Sequence, residues 1–359
     1  NKLDKAEKLL NELQHIDPRN DEVYIQRANI FSKQGSHHKA IECLKVALQY
    51  TEDFADVYSL LGMEYLFIDE ILDAKEAFIK CLEHDSEDQT ALYNVVYCYD
   101  FLDNHQEAIE FLEEFIDHNP YSEVAWHQLG RQFYTLKDYR KAIEAFDFAC
   151  IIDENFVGAY LEKGKSYEKI KMFTQAINCY KETLQLDDPS SYVYRRMGFC
   201  YEALKNYDKA LKYYLRSVHE DPLMDKSWIA IADLYLKKND FKKALHFVNK
   251  ALGIDENNHL YWRRFAIINK DLLFLEEAEL GFRKAVEHGD TFLDTWLYWS
   301  DTFRLLKDYN QSIEKLLKAR DIFNDEYEIE YRLVGLYMLT GQTEKAMYHL
   351  TNALALNYK

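Results

Sequence analysis

A small residue recurs every 34 positions along this chain, and no insertion or deletion breaks the series. Ala6, Ala40, Ala74, Ala108, Ala142, Ala176, Ala210, Ala244 and Ala278 are followed in phase by Ser312 and Ala346. Twelve residues before each mark from Ala40 onward lies a mostly small slot: Ala28, Gly62, Val96, Gly130, Gly164, Gly198, Ala232, Ala266, Ser300 and Val334. Four residues earlier again the position is mostly aromatic, running from Tyr24 through Trp126, Trp228 and Trp262 to Trp296, with Glu330 breaking it. A period of this length means stacked copies of one supersecondary unit, since a single copy cannot bury its own apolar face.

The spacing within each copy specifies helix. Aromatic, small and aromatic residues separated by four and three places fall on one stripe at 3.6 residues per turn. The Ala mark opens a second such stripe, as in Ala108, Leu112 and Phe115. Small residues let two helix backbones approach, so the helices are expected to pair as antiparallel hairpins. Pro18, Pro120 and Pro222 share one phase at the repeat junctions, with Pro189 one place further on, so no proline falls in a helix interior. With 11 Gly and 4 Pro among 359 residues, the composition agrees with an all-helical chain. No apolar stretch approaches the roughly 18 residues that a membrane span requires.

The run Trp126-x2-Leu129-Gly130-x2-Phe133, continued by Ala142-x3-Phe146, resembles the signature of the tetratricopeptide repeat, as does Tyr160-x3-Gly164-x2-Tyr167 with Ala176-x3-Tyr180. The resemblance covers the whole chain. It implies a right-handed α-solenoid of about ten stacked 34-residue helix-turn-helix repeats with a concave groove. Residues 1–20 are read as the second helix of an incomplete first repeat, and residues 21–359 as ten consecutive repeats in one continuous superhelical domain. Asn1 starts inside a turn and Lys359 stops one residue short of a full repeat, so both ends are read as cut, leaving room outside for a signal peptide, an anchor or a fused domain.

The net charge of -18 is concentrated. Residues 46–130 hold 20 acidic and two basic residues, Lys75 and Lys80, a balance of 2 - 20 = -18, while the remainder is neutral at 42 acids and 42 bases. Such a lobe repels a nucleic-acid backbone, so no nucleic acid is expected as a partner; the lobe is read either as a solvated face or as a dock for a basic partner. Six cysteines without a CxxC pair read as small core residues in a reducing compartment. They point to the cytoplasm, with the periplasm left open because the true N-terminus is missing. No phosphate loop, metal-ligand motif or nucleophile elbow occurs, so the chain reads as non-enzymatic and no cofactor or metal is expected.

In the resembled family the groove is lined by first-helix residues opposite the buried stripe. By phase that lining comprises Tyr93, Tyr97, His127, Arg131, Tyr134, Lys165, Tyr192, Arg195, Phe199 and Arg263, together with Lys169, Arg196, Arg264, Lys270, Tyr298 and Arg304. Arginine forks carboxylates and tyrosine offers a large area with a polar tip, so the expected partner is a protein or peptide with an acidic, aromatic-containing or C-terminal-carboxylate segment. Glu162, Glu168, Glu202 and Asp233 lie near enough to neutralise several of these cations. The carboxylate clamp of chaperone-binding family members is incomplete: Asn29 and Asn94 lack partners, and Lys226 is followed by Ala230 where an Arg would be needed. The expected function is an interaction scaffold. The alternatives are the targeting arm of a larger enzyme or signalling protein and a structural subunit of a large assembly.

Overall fold

The computed structural model describes residues 2–357. Among them are twenty-one helices and no strand, divided between two compact units, residues 1–188 and 189–359. The first unit holds α1 (Lys2–Ile16), α2 (Asp21–Lys33), α3 (His37–Ala47), α4 (Phe54–Phe67), α5 (Ile71–His84), α6 (Gln89–Phe101), α7 (His105–His118), α8 (Glu123–Thr135), α9 (Tyr139–Ile152), α10 (Val157–Lys169) and α11 (Phe173–Leu186). The second holds α12 (Ser191–Ala203), α13 (Tyr207–Glu220), α14 (Asp225–Lys237), α15 (Phe241–Leu252), α16 (His259–Asp271), α17 (Leu275–Glu287), α18 (Leu293–Leu305), α19 (Tyr309–Ile322), α20 (Tyr327–Leu339) and α21 (Thr343–Asn357). Even-numbered helices are first helices, and each packs against the odd-numbered helix that follows it.

Each small residue is explained by what stands opposite. A Cβ added to Gly62 would lie 2.7 Å from the ring of Phe78, and one on Gly130 would lie 2.6 Å from Phe146. The same holds at Gly164 against Tyr180 (2.7 Å) and at Gly198 against Tyr214 (2.6 Å). In these four hairpins glycine stands where the residue four past the Ala mark is aromatic. Where the slot is Ala28, Val96, Ala232, Ser300 or Val334, that position is Leu44, Leu112, Val248, Leu316 or Leu350. Ala266 faces Phe282, and here room is made from the other side: a Cβ on Gly281 would come within 2.8 Å of Ala266. Slot and filler thus conserve volume hairpin by hairpin, as close packing demands.

Polar substitutions in the core are matched in the same way. Tyr180 and Tyr214 replace phenylalanine and donate to Glu168 at 2.6 Å and Glu202 at 2.8 Å. Ser312, the departure from the Ala series, exchanges hydrogen bonds with Ser300 across its hairpin, the two hydroxyls lying 2.8 Å apart. Glu330, in the aromatic slot, is buried against His349 with Nδ1 2.7 Å from Oε2, and the Tyr337 ring stacks on that histidine. Buried polar atoms so paired avoid the cost of an unmade bond.

All ten hairpin turns pass through one left-handed residue at the same phase: Gly35, Asp69, Asp103, Lys137, Lys171, Lys205, Asn239, Leu273, Lys307 and Gly341. The next residue closes the first helix, as when Asp138 donates its N–H to the Phe133 carbonyl at 2.9 Å. Asp138 then caps the following helix by accepting from the Lys141 N–H. At the repeat junctions the slot aromatics reach back six residues: Trp126 donates to the Pro120 carbonyl, Trp228 to that of Pro222 and Trp262 to that of Glu256. Five cysteines are buried and Cys43 is half-buried. Burial pushes the Cys81 and Cys150 thiols up to about 12 and those of Cys98 and Cys179 to about 11, which keeps them protonated and inert.

Candidate functional site

The first-helix lining is built by a column rule. Positions 34 apart stand on neighbouring first helices, and the side chain at one phase meets the phase three positions later on the preceding first helix. Asn94 of α6 thus reaches the Met63 sulfur of α4. In the second unit Arg264 reaches Asp233 with two bonds of 2.7 Å, and Arg332 reaches Asp301 at 2.6 Å.

The expected residues separate into three groups. Tyr93 and Tyr97 stand open on α6, at 39% and 51% exposure. Arg131 is exposed on α8, and its Nη1 donates to Gln128 at 3.0 Å; no carboxylate pairs with it among the described residues. In the second unit Phe199 is exposed, beneath the guanidinium of Arg196, while half-buried Arg195 lies over the Tyr192 ring with its Nε unpartnered. Other cations are already engaged. Lys165 lies 2.7 Å from Glu162, and Arg263 lies over the Phe292 ring and 3.5 Å from Asp294. Lys270 covers the ring of Tyr298, and Arg304 pairs with Asp301. Tyr134 packs edge-on against Tyr139 at the margin of the core.

His127 does not stand on the open face. It is 9% exposed, its ring set against Phe146 and Phe156, and neither ring nitrogen has a partner. Burial, with Arg131 adding to it, lowers its pKa from 6.5 to about 4, so the ring is neutral at physiological pH. The column carries Tyr93 one repeat earlier, so phase alone gave no sign that Phe156 would close over this position.

Models of the tetratricopeptide repeat match residues 21–54, 89–121, 157–189 and 190–257. The chain is similar to the C-terminal part of a TPR repeat-containing protein from Cytophaga hutchinsonii, at a TM-score of 0.58 and 15% identity, covering 65% of this chain and 96% of that one. The chain is a tetratricopeptide-repeat protein. Among curated proteins this TPR chain is 33% identical over 92 residues to protein bimA of Emericella nidulans, a match covering 26% of this chain and only 11% of that protein's length. The solved structure of YrrB, described as a TPR protein with an unusual peptide-binding site, is similar at a TM-score of 0.42 and 15% identity, covering 50% of this chain and 92% of its own.

The TPR architecture is that of a protein-interaction scaffold. Among its described residues no group of His, Cys, Asp or Glu could hold a metal ion, and no helix is long and apolar enough to cross a membrane. Three residues of the open face escaped the reading by phase. Met63, Phe67 and Phe101 are 37%, 59% and 60% exposed on α4 and α6. Met63 is the column neighbour of Tyr97, and Phe67 of Phe101. The signal was present in the sequence, because two exposed-phase columns turn apolar together at these two helices.

Proposed function

We propose that this TPR chain is a non-enzymatic scaffold whose first unit receives a partner segment on the faces of α4, α6 and α8. One observation carries the reading: Met63, Phe67, Tyr93, Tyr97 and Phe101 stand exposed on adjacent first helices, next to Arg131, whose guanidinium lacks a carboxylate. Exposed apolar side chains gathered in this way mark an interaction surface. The segment that suits it carries aromatic or aliphatic side chains for α4 and α6, followed by an acidic side chain or a terminal carboxylate for Arg131, which can fork it. Contributions spread over several repeats would build affinity without a deep pocket.

Selection of a displayed peptide library against the full chain tests this reading. Enriched peptides are expected to combine apolar residues with a carboxylate, and to lose at least tenfold in affinity with either Arg131→Glu or the Tyr97→Ala, Phe101→Ala pair. Peptides that bind all three proteins equally would sink the proposal.

A further inference from the structure

The second helices of the first unit carry a different surface. A cleft of about 630 Å³ runs between α5 and α7, floored by Ile79, Leu82, Phe111 and Phe115 and rimmed by Glu83 and Glu114. It continues past Ser86, His118 and Asn119 into a cavity of about 450 Å³ at the repeat loops, where Glu87, Asp88 and Glu123 stand beside the exposed ring of Tyr121. The α6–α7 hairpin, which forms one wall, is the least closely packed hairpin among the described residues. Ile79 and Phe111 remain half-buried, so the floor still presents apolar area.

The rim carboxylates, Glu83 and Glu114, have no ion-pair partner among the described residues. No Lys or Arg occurs between Cys81 and Gly130, and Lys80 feels Glu83 only at longer range. Lys75 and Lys80, the cations nearest in sequence, are occupied: Lys80 lies 2.8 Å from Glu76, and Lys75 sits 4.5 Å above the Tyr99 ring. Exposed Glu107, Glu110, Glu113 and Asp117 extend the negative field along α7. An apolar floor takes side chains and a negative rim takes cations. Phosphate backbones would be repelled by the same field.

We propose that the α5–α7 cleft docks a basic amphipathic segment of a partner protein, with apolar side chains on Ile79, Leu82, Phe111 and Phe115 and flanking Lys or Arg on Glu83 and Glu114. This surface is separate from the first-helix face, so one unit would hold two chemically opposite segments at once.

The test uses three synthetic helix-forming peptides: one with leucine at every third or fourth position and lysine elsewhere, one with its leucines replaced by serine, and one with its lysines replaced by glutamate. Binding to the full chain is followed by fluorescence anisotropy at rising salt. The leucine–lysine peptide is expected to bind, to weaken as salt rises, and to exceed the serine peptide at least tenfold; the glutamate peptide is expected not to bind. Glu83→Lys with Glu114→Lys should weaken binding at least tenfold, Glu83→Gln with Glu114→Gln by a smaller factor, and Arg131→Glu not at all, with circular dichroism confirming that each variant is folded. Equal binding of the serine peptide, unchanged binding by the Lys double variant, or loss in Arg131→Glu would each overturn the proposal. The first two outcomes leave the reading of the first-helix face untouched, whereas loss in Arg131→Glu would place the basic peptide on that face.

Discussion

The same two columns of the repeat are filled in opposite ways in the two units. On α14 and α16 they hold Asp233 and Arg264, joined by a two-bond ion pair. On α6 and α8 they hold Tyr97, half exposed, and Gln128, which is buried and accepts from Arg131. The backbone geometry of the repeat is common to both, so the difference lies wholly in side-chain chemistry. From α14 onward, adjacent repeats satisfy each other's charges, as Arg264 does with Asp233, Arg263 with Asp294 and Arg332 with Asp301. In the first unit, the face is left with aromatic area and a guanidinium that no carboxylate matches. Phase identifies a face; pairing between successive repeats decides whether it is open.

The largest effect that tests this contrast concerns His127, which the fold has withdrawn from the column that leaves Tyr93 open. Its folded pKa is near 4 against an ordinary 6.5, so the unfolded chain binds the proton first. The stabilisation from keeping the ring neutral is complete above pH 6.5 and is lost as pH falls towards 4, a change of about 3 kcal/mol. Urea unfolding of His127→Phe and of the parent across this range should diverge by that amount. Parallel curves would mean that the ring is accessible, as Tyr93 is.

A smaller effect probes the ion pair itself. Asp233→Ala leaves Arg264 without its carboxylate and should cost about 1 kcal/mol once solvent screening is allowed for, while Arg131→Ala should cost less than about 0.5 kcal/mol because no ion pair is broken. Equal losses in thermal melts would erase the distinction between the units. The smallest change checks what the units share. Leu273 occupies the left-handed turn position at φ 63° with its side chain largely exposed, where Gly35 and Gly341 stand in other repeats. Leu273→Gly should be roughly neutral to stabilising by about 1 kcal/mol, the relief of backbone strain outweighing the entropy of glycine.

Nearly all of the fold could be read in advance, because the period repeats each local instruction and the helix boundaries follow from it. The volume match of Gly130 with Phe146, or of Ala266 with Phe282, was also written in the sequence, as pairs sixteen residues apart. The site was legible only as a set of columns. Tyr93, Tyr97 and Arg131 could be named, whereas the burial of His127 depends on Phe156, a loop residue outside the helical pattern. The pairing of Arg263 with Asp294 likewise joins a first helix to the next one along, a relation that appears only when neighbouring repeats are compared position by position. Met63, Phe67 and Phe101 lie in the phases of Tyr97 and of each other, but their exposure follows from what the neighbouring helices leave uncovered.

A photo-crosslinking amino acid placed at Phe101 and, separately, at Asp271 addresses the central contrast most directly, since both positions are exposed, share one phase and lie on first helices of different units. Irradiation with a peptide selected against the full chain is predicted to give an adduct from position 101 and none from position 271. An adduct from position 271 alone, or equal yields from both, would contradict the claim that the first unit holds the open face.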